Sequence, residues 1–258
     1  MSICTYTVDG NGVALMTLDN PPMNALSYDI VSEIRACVQK ALADNSVRVV
    51  VFTGAGKAFI AGADIKELER NNSKEVTVKY LENGHELMNL IESADKPFIA
   101  AINGFALGGG CELALACHIR LADESAQIGL PEIKLGIIPG YGGTIRTPQL
   151  AGLGRTYELI LSGNFISGKQ AAEYNLVNRA VPKGESVNEA KRLALAIAKK
   201  GRPAIKTAMD VIRKGRELGK YEAQQYEREG LGALTETENK REGVAAFFEK
   251  REARPVDK

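Results

Sequence analysis

The spacing of apolar residues predicts an N-terminal hairpin followed by a helix. Residues 3–8 and 13–18 are rich in β-forming side chains, and the DGNG segment at 9–12 between them is strong turn chemistry. Ser27 can cap a helix that runs to about Ala43, because apolar residues recur there at helical spacing.

Buried strands and helices alternate after this helix. Continuous apolar runs predict three strands, at 47–53, 98–103 and 118–122. Gly- and Ala-rich segments predict two loops, at 54–63 and 104–110. Helical spacing follows at 64–70, 73–93 and 111–116. From residue 142 onward the pattern is mainly helical, apart from a short strand near 177–181. We therefore expect an α/β core with a helical C-terminal region.

Composition and charge exclude several classes of function. The 258 residues suit one large domain, and 33 basic against 32 acidic side chains leave a net charge of +1. That balance argues against electrostatic binding of nucleic acid or a membrane over a broad surface. It does not exclude a local basic patch that binds a phosphorylated ligand. The N-terminus opens on a strand-like stretch rather than a targeting segment, so the cytoplasm is the expected compartment.

Neither the cysteines nor the histidines have the spacing of a metal site. The four cysteines form no CxxC pair and are interpreted as reduced thiols. His85 and His118 lie far apart in the sequence, so no metal ion is expected. The apolar segment 97–117 resembles a membrane span, but we reject this interpretation because Asn103 and Glu112 would lie inside it.

Two stretches could bring backbone N–H groups to a ligand. In KAFIAGADIK at 57–66, Asp64 suits a helix start, and on this segment alone a plain strand-to-helix connection is the better interpretation. In NGFALGGGCE at 103–112, three glycines lead into a helix whose first turn carries Glu112. Free N–H groups at such a terminus can bind an anion or oxyanion, and the alternative is a tight packing turn.

A third stretch, LPEIKLGIIPGYGGT at 130–144, places Glu132 in an apolar neighbourhood. If this carboxyl is buried, its pKa should be raised, which fits a general acid that works near neutral pH. The alternative is an exposed glutamate on a loop.

The three stretches together resemble the crotonase (enoyl-CoA hydratase/isomerase) family. The resemblance is collinear and extends from NPPMNAL at 20–26 to the segment 242–251. It implies stacked ββα units that form a spiral core over residues 1–190. It also implies a helical region over 191–258 for oligomer contacts and active-site cover, and a homotrimer or a homohexamer built as a dimer of trimers.

The resemblance also implies roles for individual residues. The N–H groups of Ala63 and Gly109 would form an oxyanion hole for the thioester carbonyl. Lys250 would assist binding of the CoA phosphates across a subunit boundary, and Leu231 stands where some relatives carry an aromatic residue. The full implied substrate-binding set is Ala61, Ala63, Asp64, Ile65, Lys66, Gly109, Gly140 and Lys250. No cofactor is implied, since coenzyme A is part of the substrate.

Glu112 and Glu132 match both hydratase positions of the family, which favours water addition to an enoyl-CoA. We assign Glu112 as the base toward water and Glu132 as the acid toward Cα, with the Gly140 N–H near the water. The roles can be shared, because such a pair titrates as a unit. The alternatives are an enoyl-CoA isomerase, a branched enoyl-CoA hydratase, a hydroxyacyl-CoA hydrolase and, remotely, an RNA-binding protein with a vestigial site.

Overall fold

The computed structural model describes residues 2–70 and 73–254, so residues 255–258 of the expected C-terminal region lie outside the described part. Its strands are β1 (Cys4–Val8), β2 (Val13–Leu18), β3 (Val49–Gly54), β4 (Ala58–Ile60), β5 (Phe98–Ile102), β6 (Phe105–Leu107), β7 (Ile119–Asp123), β8 (Gln127–Gly129), β9 (Ile166–Ser167) and β10 (Arg179–Val181). Its helices are α1 (Tyr28–Ala43), α2 (Ile65–Arg70), α3 (Lys74–Glu92), α4 (Gly109–Ala116), α5 (Gly143–Ala151), α6 (Leu153–Ser162), α7 (Gly168–Glu173), α8 (Ser186–Ala198), α9 (Arg202–Gly215), α10 (Lys220–Thr235) and α11 (Glu238–Phe248).

A unit of long strand, short strand and helix repeats three times along the chain, as β3-β4-α3, β5-β6-α4 and β7-β8-α5. The long strands lie in a six-stranded sheet of order β1-β2-β3-β5-β7-β10, and the short ones lie in a four-stranded sheet of order β4-β6-β8-β9. Val51, Ile99 and Ile119 occupy matching positions on neighbouring parallel strands. Since each unit advances one place in both sheets, the chain winds as a spiral of ββα units.

The N-terminal elements follow the predicted pattern. β1 and β2 pair antiparallel, and the Ser27 side chain caps α1 by accepting a hydrogen bond from the Ile30 N–H. The predicted loops at 54–63 and 104–110 are wrong over β4 and β6, which are strands. Strands of three residues are too short to show an alternating pattern.

The large sheet is covered on both faces. On one face, α1, α3 and α4 pack over a core that includes Phe52, Leu87 and Phe98, all fully buried. On the other face, α8 contacts the sheet through buried alanines spaced four residues apart, at Ala190, Ala194 and Ala198. Four-residue spacing places these side chains on one side of the helix, and their small size lets it pack closely.

The C-terminal helices differ from the core in exposure. Every residue of α9 and α10 is described, and none of them is buried. The boundary expected between residues 190 and 191 falls within α8, and the division into two regions stays a prediction. Along the described chain, no helix combines the length and apolarity that crossing a membrane requires. The segment 97–117 instead contains β5, β6 and α4.

Candidate active site

Glu112 lies in the first turn of α4, a helix in which every residue is buried. The helix begins sharply because Gly108, its N-cap, has a φ of +50°, a left-handed conformation that glycine adopts without strain. The Glu112 N–H donates to the Gly108 carbonyl at 2.9 Å. Glu112 is only 2% exposed, so α4 carries a carboxyl into the protein interior.

The loop that leads into α5 holds the Glu112 carboxyl. The N–H groups of Tyr141 and Gly143 both donate to its Oε1 atom, each at 2.7 Å. Burial raises the pKa of Glu112 to about 7, although these N–H groups and the charge of Arg146 lower it. The carboxyl therefore changes charge near neutral pH, as a general acid or base requires.

Glu132 approaches from a 3₁₀ turn at Glu132–Leu135, directly after β8. Its Oε2 atom is buried and has no hydrogen-bond partner among the described residues. Burial raises the pKa of Glu132, which confirms the direction predicted from its apolar neighbourhood. A buried polar atom without a partner costs free energy, and this atom is suited to a partner that a ligand supplies.

The Glu112 and Glu132 carboxyls lie close enough to interact, although they come from different elements. A Cβ atom placed on Gly108 would lie 2.9 Å from Glu132 Oε1, while one on Gly143 would lie 3.1 Å from Glu112 Oε1. Gly108 and Glu112 belong to the same helical turn. The negative charge of Glu132 contributes to the raised pKa of Glu112, so the two groups interact electrostatically.

Ala63 lies on a segment that is fixed by Leu26. The Leu26 N–H donates to the Gly62 carbonyl at 2.9 Å, and the Asp64 N–H donates to the Leu26 carbonyl at 2.7 Å. These two bonds form a parallel bridge between Leu26 and Ala63. In such a bridge the N–H of the paired residue points to the opposite side, so the Ala63 N–H faces away from Leu26.

The start of α4 lies next to this segment. A Cβ on Gly108 would be 3.8 Å from the Gly62 Cα. Gly109 is the first residue of α4, so its N–H is one of those that a helix leaves without a partner of its own. The N–H groups of Ala63 and Gly109 thus belong to adjacent backbone segments beside the carboxyl pair.

The tight-packing interpretation of the Gly108–Gly110 run is confirmed at Gly110, and the oxyanion interpretation stays a prediction. A Cβ on Gly110 would lie 2.1 Å from the Ile60 carbonyl oxygen, so this glycine permits tight packing against β4. Gly108 provides the left-handed turn and borders Glu132. A Cβ on Gly109 would meet the Leu26 and Tyr141 side chains at 3.1 and 3.3 Å.

The remaining residues of the first stretch surround Ala63. The Ala61 N–H donates to the Met23 carbonyl at 3.1 Å. The Asp64 carboxyl accepts from the Lys66 N–H at 2.9 Å, which supports the predicted role of Asp64 at a helix start. Ile65 and Lys66 are exposed at the start of α2 and are accessible to a ligand.

Other residues implied by the resemblance lie on separate elements. Gly140 precedes the loop residues that hold Glu112, and a Cβ there would lie 2.7 Å from Leu81 Cδ2 on α3. Leu231 is exposed on α10. Lys250 follows α11, and the nearby Glu252 pairs with Lys199 at the end of α8. The segment of Lys250 therefore contacts the C-terminal region, and its role toward CoA stays a prediction.

Sequence reasoning missed three contributors, namely Tyr141, Gly143 and Arg146. The first two act through backbone N–H groups, which leave no signature in residue type, although both lie in the PGYGGT run. The Tyr141 ring stacks on Tyr80 of α3, with centroids 6.5 Å apart. A Cβ on Gly84 would lie 2.0 Å from Tyr141 Cε1, so α3 contacts this ring closely.

A large cavity of about 1290 Å³ lies elsewhere, between the core and the C-terminal helices. Its walls include Leu90, His118, Met209 and Ile212. Neither Glu112 nor Glu132 lines it, so the carboxyl site lies outside this cavity.

The chain is similar to known proteins in both sequence and structure. The sequence model of the family described as Enoyl-CoA hydratase/isomerase matches residues 9–257. A probable enoyl-CoA hydratase of Bacillus subtilis (strain 168) is 43% identical over 240 residues, covering 93% of each chain. The short-chain-enoyl-CoA hydratase of Clostridium acetobutylicum is 39% identical, covering 93% of this chain and 92% of that protein. The crystal structure of an enoyl-CoA hydratase from Bacillus anthracis superposes with a TM-score of 0.94 at 37% identity, covering 99% of this chain and all of that one.

Proposed function

Because the chain belongs to the enoyl-CoA hydratase/isomerase family, we propose that it is an enoyl-CoA hydratase. This hydro-lyase adds water reversibly, in syn geometry, to trans-2-enoyl-CoA and gives 3-hydroxyacyl-CoA in fatty-acid and acyl-CoA degradation. The observation that carries the proposal is the pair of interacting carboxyls, Glu112 and Glu132, at one site. Water addition requires one group that takes a proton and another that delivers one.

Glu112 is the base toward water, and Glu132 is the acid toward Cα. The two N–H bonds to Glu112 support the ionised form that a base needs, whereas Oε2 of Glu132 is buried and unpartnered among the described residues. Burial raises the pKa of both carboxyls, and that of Glu112 reaches about 7, so Glu112 can exchange a proton near neutral pH. The charge of Glu132 raises the pKa of Glu112, so the protonation of one carboxyl is linked to that of the other.

The N–H groups of Ala63 and Gly109 bind the thioester carbonyl and stabilise the negative charge that develops on it. The support is the parallel bridge, which turns the Ala63 N–H away from Leu26, and the position of Gly109 at the start of α4. Donors of this kind typically contribute about two to three orders of magnitude in rate. No cofactor is required, because CoA is part of the substrate.

CoA itself would contact the segment that contains Ala61, Asp64, Ile65 and Lys66, where Ile65 and Lys66 are exposed. Gly140 would approach the water through its N–H. Lys250 would reach the CoA phosphates of a neighbouring subunit.

A homotrimer or a dimer of trimers is the assembly we favour. On α6, Leu153, Tyr157 and Leu161 recur every four residues, and each is more than 60% exposed. Four-residue spacing aligns them in one apolar stripe, which an intersubunit contact would cover. The cytoplasm remains the proposed compartment.

A substrate panel with product analysis tests the proposed reaction. Purified protein should bleach the enone absorbance of crotonyl-CoA and form 3-hydroxybutyryl-CoA, and a series up to decenoyl-CoA should define the chain length. A shifted double bond without added water would indicate an isomerase, and release of free CoA from a 3-hydroxyacyl-CoA would indicate a hydrolase. Salt-sensitive RNA binding together with no turnover of any enoyl-CoA would contradict an enzymatic role.

A further inference from the structure

Arg146 is a buried cation that the proposed chemistry does not use. It lies on α5 and is 7% exposed. Its Nε and Nη2 atoms donate to Glu92 Oε2 at 3.0 and 2.7 Å, and Nη2 also donates to Asn89 Oδ1 at 3.3 Å. Glu92 and Asn89 lie in the last turn of α3, so the guanidinium joins α3 to α5.

The third nitrogen of the same guanidinium binds the loop that leads into α5 and holds Glu112. Arg146 Nη1 donates to the Tyr141 carbonyl at 2.9 Å. The N–H of that same residue donates to Glu112 Oε1, as does the N–H of Gly143. The segment 141–143 is therefore held by a cation on one side and holds a carboxyl on the other.

The close approach of Arg146 depends on glycine at position 142. Gly142 has a φ of +101°, and a Cβ there would lie 2.1 Å from Arg146 Nη1. A larger residue would push the guanidinium off the Tyr141 carbonyl. Burying an ion pair costs desolvation energy that apolar side chains of similar volume would avoid. We therefore expect the buried Arg146–Glu92 pair to do more than join α3 to α5.

We propose that Arg146 is a positioning residue which, through the Tyr141 carbonyl, fixes the two N–H groups that orient Glu112. The inference rests on the proposed hydratase function for its kinetic consequence, but not for its structural one. Among the described residues, the charge of Glu132 raises the pKa of Glu112 and the charge of Arg146 lowers it. The neighbouring Cys111 thiol and Tyr141 phenol have pKa values raised by burial and stay neutral in the working range.

Arg146→Met and Arg146→Lys separate the two contributions of this side chain. Methionine removes both the positive charge and the N–H donors of the guanidinium. Glu112 should then be misplaced, and kcat for crotonyl-CoA should fall by about 100-fold. KM should change less than about twofold, because the loop does not bind the CoA portion. The acidic limb of the kcat profile should move to higher pH. Lysine keeps the charge without the planar fork, so kcat should fall while the acidic limb stays near that of wild type.

Arg155→Met is the matched control. Arg155 lies on α6, donates to the Glu173 carbonyl at 3.0 Å and stacks over the Tyr174 ring. It also donates to a backbone carbonyl but does not contact the loop at 141–143, so its variant should keep the wild-type kcat and pH profile.

A second readout needs no turnover. The ¹³C shift of the Glu112 carboxyl, assigned with Glu112→Gln and followed against pH, should report a higher pKa in Arg146→Met than in wild type. An unchanged titration would overturn the inference, as would a wild-type kcat and acidic limb in Arg146→Met. If Arg146→Met fails to fold, Arg146→Lys decides by its kcat. Absence of turnover in the wild type would contradict the proposed function alone, and the carboxyl titration would still decide the role of Arg146.

Discussion

Replacing Glu112 with glutamine removes a buried group whose pKa rises on folding from the ordinary 4.5 to about 7. Between these values the folded protein keeps a proton that the unfolded chain has already released. Its contribution to stability is therefore fully present below pH 4.5 and is lost as pH rises through about 7. At about 1.4 kcal/mol per pH unit, the total loss is roughly 3 kcal/mol.

Glu112→Gln lacks this titration, so its free energy of unfolding should gain on that of wild type by roughly 3 kcal/mol between pH 4.5 and pH 8. Urea unfolding followed by circular dichroism, at one fixed protein concentration, measures the difference at each pH. Glu227→Gln, at an exposed position on α10, controls for the loss of a carboxylate and should show no such trend. A difference that stays constant across the range would refute the argument that burial dominates at Glu112.

Three further outcomes are expected. In the hydration assay, Gly84→Ala should displace the Tyr141 ring and lower kcat by about tenfold or more. Gly232→Ala in α10 is the control and should leave kcat unchanged, because an added Cβ there meets nothing within 4 Å. The wild-type kcat should fall as pH drops below about 7, because the Glu112 base becomes protonated; a kcat that stays constant from about pH 8 down to about pH 5 would assign the base to another group. Leu161→Glu should place a charge in the apolar stripe of α6 and so lower the mass of the assembly measured by sedimentation. Glu158→Gln on the same helix is the control, and an unchanged mass in Leu161→Glu would show that the stripe is not an interface.

The sequence predicted the long elements and the class of fold, and family membership confirms the predicted crotonase spiral. The hairpin, α1 and the long strands were visible because each has enough residues to show its period. The short strands β4 and β6 were not, because they have three residues each and lie among glycines. Their pairing depends on partners from other turns of the spiral.

Only part of the candidate site could be predicted from the sequence. Glu112 and Glu132 could be selected because both lie in apolar stretches and both match the hydratase positions of the family that the chain resembles. The donors from Tyr141 and Gly143 could not be selected, since any residue except proline has an N–H. The contact of Arg146 with that loop depends on the way α3 and α5 pack.

The most direct test of the central claim is the initial rate of crotonyl-CoA hydration by wild type, Glu112→Gln and Glu132→Gln at the wild-type pH optimum. Each glutamine keeps the volume of the side chain but cannot transfer a proton. Each variant should therefore lose about two to four orders of magnitude in kcat. Wild-type rates in both variants would contradict the assignment of the two carboxyls as the acid–base pair.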